Sequence, residues 1–319
     1  MVESFDPSPS PSIGPAEDRG AILWGVGAYG LWGLVTIYWK MLRHFDAFEL
    51  IGYRITSSVV VMSVFLVATH RMPTLLAQLR DKAVLLRVTG AALVLSANWT
   101  VYVWAVVHGR VIETALGYFM TPIGLTLAGV LVLHEPFRMV QRFALALAVS
   151  AVLVLTIGYG HLPWVSIVIA LSWVTYSVMK KSTPLTAFES LTAETLVLAL
   201  PALALVVWGS TRTSSIVHTA SAGDWSLVAV SGVVTAVPLL MFAVAAKRLP
   251  LTILALLQYI VPTINFLLGW LAYDETLTGV RVLGFALVWI GLIAVTIDSL
   301  RRSRAVPLPT GPRGTAVGR

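Results

Sequence analysis

Residues Asn98–Phe137 read NWTVYVWAVVHGRVIETALGYFMTPIGLTLAGVLVLHEPF. Two apolar, aromatic-rich runs flank a short polar break, His108-Gly109-Arg110, and the second run holds Pro122 and closes on Glu135. A related pattern returns at Leu251–Thr276, LTILALLQYIVPTINFLLGWLAYDET. Pro122 and Pro262, Gly129 and Gly269, and Glu135 and Glu275 are each 140 residues apart. The same shift places Ala115, Leu116, Leu127 and Leu131 on identical residues. A fixed offset without gaps marks one unit used twice.

The 319 residues around this stretch are 57% apolar and only 12% charged. Soluble domains carry about a quarter charged residues, so much of this chain cannot face water. Apolar runs long enough to cross a bilayer recur along nearly the whole length. The expected class is an all-α membrane protein with the lipid bilayer as its surroundings. A net charge of +7 would suggest nucleic acid in a soluble protein. Beside this hydropathy it fits basic loops facing anionic headgroups instead, and no nucleic-acid partner is expected. The chain has no cysteine, which excludes disulfides and thiolate metal sites.

Ten spans are expected, at 21–40, 49–69, 85–107, 112–133, 139–158, 162–180, 189–208, 225–246, 250–273 and 278–298. Short connections favour a compact bundle of antiparallel neighbours. Residues 1–20 are Pro/Ser-rich and acidic, lack the features of a signal peptide, and read as a disordered tail, as do 301–319. With this layout, 16 of the 22 Lys and Arg residues fall on the side holding the N-terminus and 6 on the other. The excess predicts that both termini are cytoplasmic.

The repeat then has a geometric consequence. Its unit, 21–158 against 162–298, contains five spans, an odd number, so the second copy must lie upside down relative to the first. Glu135 is expected at the cytoplasmic face and Glu275 at the external one. Inverted repeats with a site near the bilayer midplane are an architecture of secondary transporters.

The motifs NWTVYVWAV (Asn98–Val106), LGYFMTP (Leu116–Pro122), YGHLPW (Tyr159–Trp164) and QYIVPT (Gln258–Thr263) resemble those of RarD-type permeases. These are also called chloramphenicol-sensitivity proteins, and they belong to the EamA-type group of the drug/metabolite transporter superfamily. The resemblance covers residues 20–300 with the motifs in order. It implies ten helices in two inverted five-helix repeats, and movement of small organic metabolites or drug-like molecules across a bacterial inner membrane. Met120-Thr121 departs from the pattern, in which Asn often precedes the proline.

Polar and aromatic residues inside the spans are the substrate-binding candidates: Asn98, Trp99 and Tyr102 in the third span, Tyr118 in the fourth, and Gln258, Tyr259 and Asn265 in the ninth. At about 100° per residue Asn98 and Tyr102 share a face, with Trp99 beside it. Aromatic walls with a few polar groups suit a flat, apolar ligand. The plainer explanation is interhelical packing. Pro122 and Pro262, which remove backbone bonds inside spans, are hinge or kink candidates, or static bends.

Arg54, its 140-residue counterpart Glu194, and Glu113 are candidates for charge coupling, because intramembrane charges are costly. Against this, Arg54 has room to snorkel to headgroups, and Glu113 suits a helix N-terminus. Gly25–Gly30 matches G-x-G-x-x-G but begins a span rather than following a strand, so its glycines are read as close-packing positions. Asn98-Trp-Thr matches a glycosylation site inside a span and is set aside. No catalytic cluster, metal motif or cofactor motif is expected, and the class leaves room for a homodimer. A membrane-embedded enzyme acting on lipid or prenyl groups would need paired carboxylates or a zinc motif, neither of which is visible. A non-transporting scaffold would bind ligand without flux.

Overall fold

The computed structural model describes residues 15–134, 136–181, 183–249 and 251–305. Among these residues there are helices and connections but no strand. In chain order the helices are α1 (Pro15–Met41), α2 (Ala47–Ala68), α3 (Met72–Gln78), α4 (Lys82–Val107), α5 (Val111–Leu133), α6 (Met139–Tyr159) and α7 (Trp164–Lys181). They continue as α8 (Ala187–Val197), α9 (Ala199–Ser210), α10 (Ile216–Thr219), α11 (Ala222–Ala246), α12 (Leu251–Leu257) and α13 (Ile260–Leu267). A π-helical turn, Leu268–Ala272, and α14 (Gly279–Ala305) complete the chain.

Seven of these helices are long and apolar enough to cross a membrane, and eight if the bent pair α8–α9 is one span. Helix α7 and the segment Ile260–Ala272 are shorter apolar stretches. The outer surface is itself apolar: Ile157 is 82% exposed and Leu200 79%. An exposed apolar surface on this scale needs lipid around it. The chain is a multi-pass membrane protein.

Two expected spans are broken. The stretch 189–208 bends by 49° where α8 meets α9. Pro201, in the first turn of α9, cannot donate to the carbonyl of Val197, and a proline inside a helix costs about 3 kcal/mol if the helix stays straight. The stretch 250–273 is interrupted at Gln258–Tyr259. There Pro262 has no N–H to offer Gln258 and instead sits in the first turn of α13, where none is needed. Pro122 differs, because α5 runs through it unbroken.

The outer spans are longer than expected. Helix α1 begins at Pro15 and α14 reaches Ala305, since no breaker intervenes before Pro307. Residues 15–20 and 301–305 are therefore helical rather than tail. The remainder of both expected tails, 1–14 and 306–319, lies outside the described residues, as does Glu135. The small helices α3 and α10 occupy stretches expected to be loops.

Polar caps fix the helix starts. Asp46 accepts from the amides of Phe48 and Glu49 to begin α2, at 2.9 and 3.2 Å. Thr186 with Glu189, and Ser221 with Asp224, form capping boxes on α8 and α11. Helix α1 packs on α11 and α13, and α7 packs on α4 and α5. Helix α2 lies along α8–α9, α5 along α13, and α6 along α14. Small residues allow the closest of these approaches. A Cβ on Gly33 would stand 2.8 Å from Ile264, and one on Gly232 would stand 2.4 Å from the carbonyl oxygen of Ser57. Gly25 and Gly27 likewise abut Leu257 and Met241 and serve packing, whereas Gly30 meets open space.

Antiparallel neighbours give the bundle two ends. One carries Lys40, the α4–α5 turn and Glu275. The other carries Arg138, which pairs with Asp298 on α14.

Candidate functional site

A cavity of about 370 Å³ lies between α1, α2, α4, α5, α7, α8, α11 and the α12–α13 break. Eight of its twenty lining residues are aromatic. Tyr118 meets Tyr102 edge-on at 6.0 Å and Trp173 at 6.3 Å, so the wall is a connected aromatic surface.

Most of the candidates named from sequence meet at the cavity, and the rest scatter around it. Asn98, Trp99, Tyr102, Tyr118, Gln258, Pro262 and Arg54 line the cavity. Asn98 also joins α4 to α7, since its Nδ2 donates to the carbonyl of Ile169 (3.2 Å) and to Ser172 Oγ (2.9 Å). Its Oδ1 is buried without a hydrogen-bond partner among the described residues. Asn98 therefore serves packing with one end and leaves the other unused.

Asn265 lies beyond the cavity, toward the Lys40 end. Thr36 Oγ1 donates to Asn265 Oδ1 at 2.7 Å, which leaves Tyr102 OH as the donor in its 2.7 Å contact with Thr36. Asn265 Nδ2 reaches Thr114 Oγ1 at 3.4 Å, and Thr114 donates to the carbonyl of Val111 at 2.7 Å. This buried relay crosses α4, α1, α13 and α5 and closes the cavity on that side.

Above it, Glu275 accepts from the amides of Val111 (2.6 Å) and Ile112 (2.9 Å) at the start of α5. An acid at a helix N-terminus meets both unsatisfied amides and the positive end of the dipole. Burial pushes the Glu275 carboxyl above the ordinary carboxylate value, and the two amides, Arg281 and Lys40 pull against that shift. Lys40 also spans this end, donating to the carbonyl of Val106 at 3.3 Å and standing 4.9 Å from the Tyr273 ring.

Tyr259 points away from the cavity and packs with Phe119, Phe285 and their neighbours between α5, α6 and α14. Pro122 and Glu113 are also outside the lining. Glu113 sits in the first turn of α5, 3.6 Å from Arg110, so its nearest partner is a helix-end arginine.

Glu194 is fully buried. Its carboxylate takes Lys180 Nζ (2.8 Å), Ser190 Oγ (2.8 Å) and Tyr176 OH (3.1 Å). Lys180 also donates to Ser190 Oγ. Lys180 and Tyr176 line the cavity, so its α7–α8 side is polar but charge-balanced. From Tyr102 at the closed side, the lining reaches Lys180 and Ala187 beside the α7–α8 connection.

Arg54 does not snorkel. It is 7% exposed, with its guanidinium carbon 4.0 Å from the Trp99 ring centre and 5.4 Å from that of Trp39. Its Nε and Nη1 have no hydrogen-bond partner among the described residues.

Sequence reasoning missed Trp32, Trp173, Tyr176, Lys180 and Phe242 in the lining. The 140-residue shift carries Trp99 to Leu239 and Tyr102 to Phe242, and both images line the cavity. Applying the repeat to the site, and not only to the fold, would have found Leu239 and Phe242, but not Trp32, Trp173, Tyr176 or Lys180.

Helices spanning a membrane around an aromatic pocket define a polytopic membrane protein with a central cavity. The family model described as the EamA-like transporter family matches residues 19–157 and again 163–297. The chain belongs to that family. It is 43% identical to Protein RarD of Streptomyces exfoliatus, over 90% of this chain and 91% of that protein. It is 33% identical to the uncharacterized transporter YojE of Bacillus subtilis (strain 168), over 91% of this chain and 98% of that one. With Protein RarD of Escherichia coli (strain K12) the identity is 30%, over 90% and 97%. A solved protein crystal structure, 18% identical, covers 89% of this chain and 99% of its own at a TM-score of 0.58, which is a likeness of fold.

Proposed function

We propose that this chain is a secondary transporter, moving small organic metabolites or drug-like molecules across the bacterial inner membrane by alternating access. Two inverted five-helix repeats rock about the aromatic cavity. Counting the bent pair α8–α9 as one span and including both shorter apolar segments gives the ten spans this reading needs.

The observation that carries the reading is a packing pattern that survives exchange of the halves. The 140-residue shift turns α1 into α7, α4 into α11 and α5 into α12–α13. The α1–α11 and α1–α13 contacts thereby become the α7–α4 and α7–α5 contacts. The pairs α2 with α8–α9, α5 with α13 and α6 with α14 each join an element to its own image. A body built this way has two nearly equivalent arrangements, one open to each side. The buried relay and the Glu275 cap close the Lys40 end, which the loop charges make external. On this reading the conformation is closed on the external side.

Pro136 and Thr276 are exposed, are 140 residues apart, and test the inversion directly. The chain contains no cysteine, so single-cysteine variants need no background changes. In right-side-out vesicles a membrane-impermeant maleimide should label Thr276→Cys at once and Pro136→Cys only after permeabilisation. Labelling of both from the same side would end the inverted-repeat account.

A further inference from the structure

We infer that the cavity takes an organic anion, a carboxylate on a flat aromatic body, with Arg54 as the group that holds the charge. The inference rests on the carrier reading for its biological meaning, but not for its geometry.

Among the described lining residues there is no aspartate or glutamate. The two cations that line the cavity differ in what meets them. Lys180 is matched by Glu194 at 2.8 Å. Arg54 is more than nine-tenths buried, lines the cavity, and leaves Nε and Nη1 unpartnered. A desolvated guanidinium without a counter-charge is a costly arrangement, and its retention within a membrane points to a partner that arrives from outside the chain.

The indole of Trp99, at 4.0 Å, offers the guanidinium carbon a cation–π contact, and that of Trp39 lies further off at 5.4 Å. Such contacts leave the in-plane N–H groups, which match a carboxylate, free to bond. Beyond Arg54 the walls are aromatic, with Trp32, Trp173 and Phe242 offering flat apolar contact. The unpartnered Oδ1 of Asn98 accepts a hydrogen bond and favours a ligand with an N–H or O–H on its ring system.

The test uses the purified full-length chain in detergent and calorimetric titration. Indole-3-acetate, naphthalene-2-carboxylate and benzoate are compared with their neutral amides. At least one acid should bind saturably and about tenfold or more tightly than its amide, the scale of a charge-assisted hydrogen bond. Arg54→Gln should abolish that preference, and Arg54→Lys should keep part of it, since charge survives without the planar fork.

Equal binding of acid and amide overturns the inference, as does the absence of saturable binding by all three acids. So does an intact preference in Arg54→Gln. Displacement of the acids by chloride at equal affinity would identify an inorganic-anion site and overturn it as well. The acid-against-amide comparison needs no variant, so a misfolded Arg54→Gln protein cannot mask the result. Binding without flux in proteoliposomes would sink the carrier reading and leave this inference standing. Equal flux of acids and amides would do the reverse.

Discussion

Lys180 Nζ stands 2.8 Å from Glu194 Oε1, and the two are the only paired charges at the cavity wall among the described residues. Glu194 is fully buried, while the Lys180 side chain is 24% exposed. Removing one member leaves the other charged in an apolar surround, whereas removing both does not. Lys180→Met and Glu194→Leu should each cost about 3 kcal/mol. The double variant should recover most of that loss. Thermal unfolding in detergent measures all three, and a double variant as unstable as the sum of the singles would refute the coupling.

Thr36 joins Tyr102 to Asn265 at the closed side of the cavity. Thr36→Val keeps the shape but strands two buried polar groups, at about 1–3 kcal/mol. Part of that cost should appear as opening of the Lys40 end. A cysteine at the lining position Leu95 should then react faster with an impermeant maleimide from that side.

Glu275 supplies both acceptors for the first amides of α5. Glu275→Ala leaves them bare and should cost about 1–2 kcal/mol, the scale of a lost N-cap. The same cysteine-accessibility readout applies. Glu275→Gln should fall between wild type and alanine, because one oxygen acceptor remains and the charge is gone.

Gly232 and Gly30 provide a matched pair of opposite sign. A methyl on Gly232 would stand 2.4 Å from a backbone oxygen of α2, which cannot rotate away, so Gly232→Ala should destabilise by about 1–3 kcal/mol. Gly30 has open space, and Gly30→Ala should be neutral or stabilise by up to about 1 kcal/mol. Melting temperatures of the two variants decide the matter.

Pro262→Ala restores the amide that Gln258 lacks and should draw α12 and α13 toward one continuous helix. Gln258 then turns relative to the cavity. Transport velocity should fall while the melting temperature holds or rises. Pro122→Ala, in a helix already continuous, should leave velocity near wild type.

The sequence made the membrane class, the duplication and most of one cavity wall legible. Asn98, Trp99 and Tyr102 were readable because polar groups amid an apolar run have few reasons to be there. Tyr259 is next to Gln258 in sequence but about 100° round the helix from it, and it falls on the face turned away from the cavity, as Phe119, its counterpart in the first half, does beside Tyr118. Pro201 carried a signal for the α8–α9 bend, and it went unread. Trp32 and Trp173 were invisible to hydropathy, since an aromatic facing lipid and one facing a cavity look alike in sequence. Only packing tells them apart.

Ser57 Oγ donates to the carbonyl of Ala229 at 2.7 Å and accepts from the amide of Gly232 at 3.0 Å, stapling α2 to α11 where their backbones nearly touch. The staple joins one helix from each half of the chain. Neither can slide past the other without breaking the hydrogen bonds that Ser57 makes to the α11 backbone. Severing the chain at its midpoint would therefore leave the two halves clasped at this point, and any motion between them must turn about it rather than shear past it.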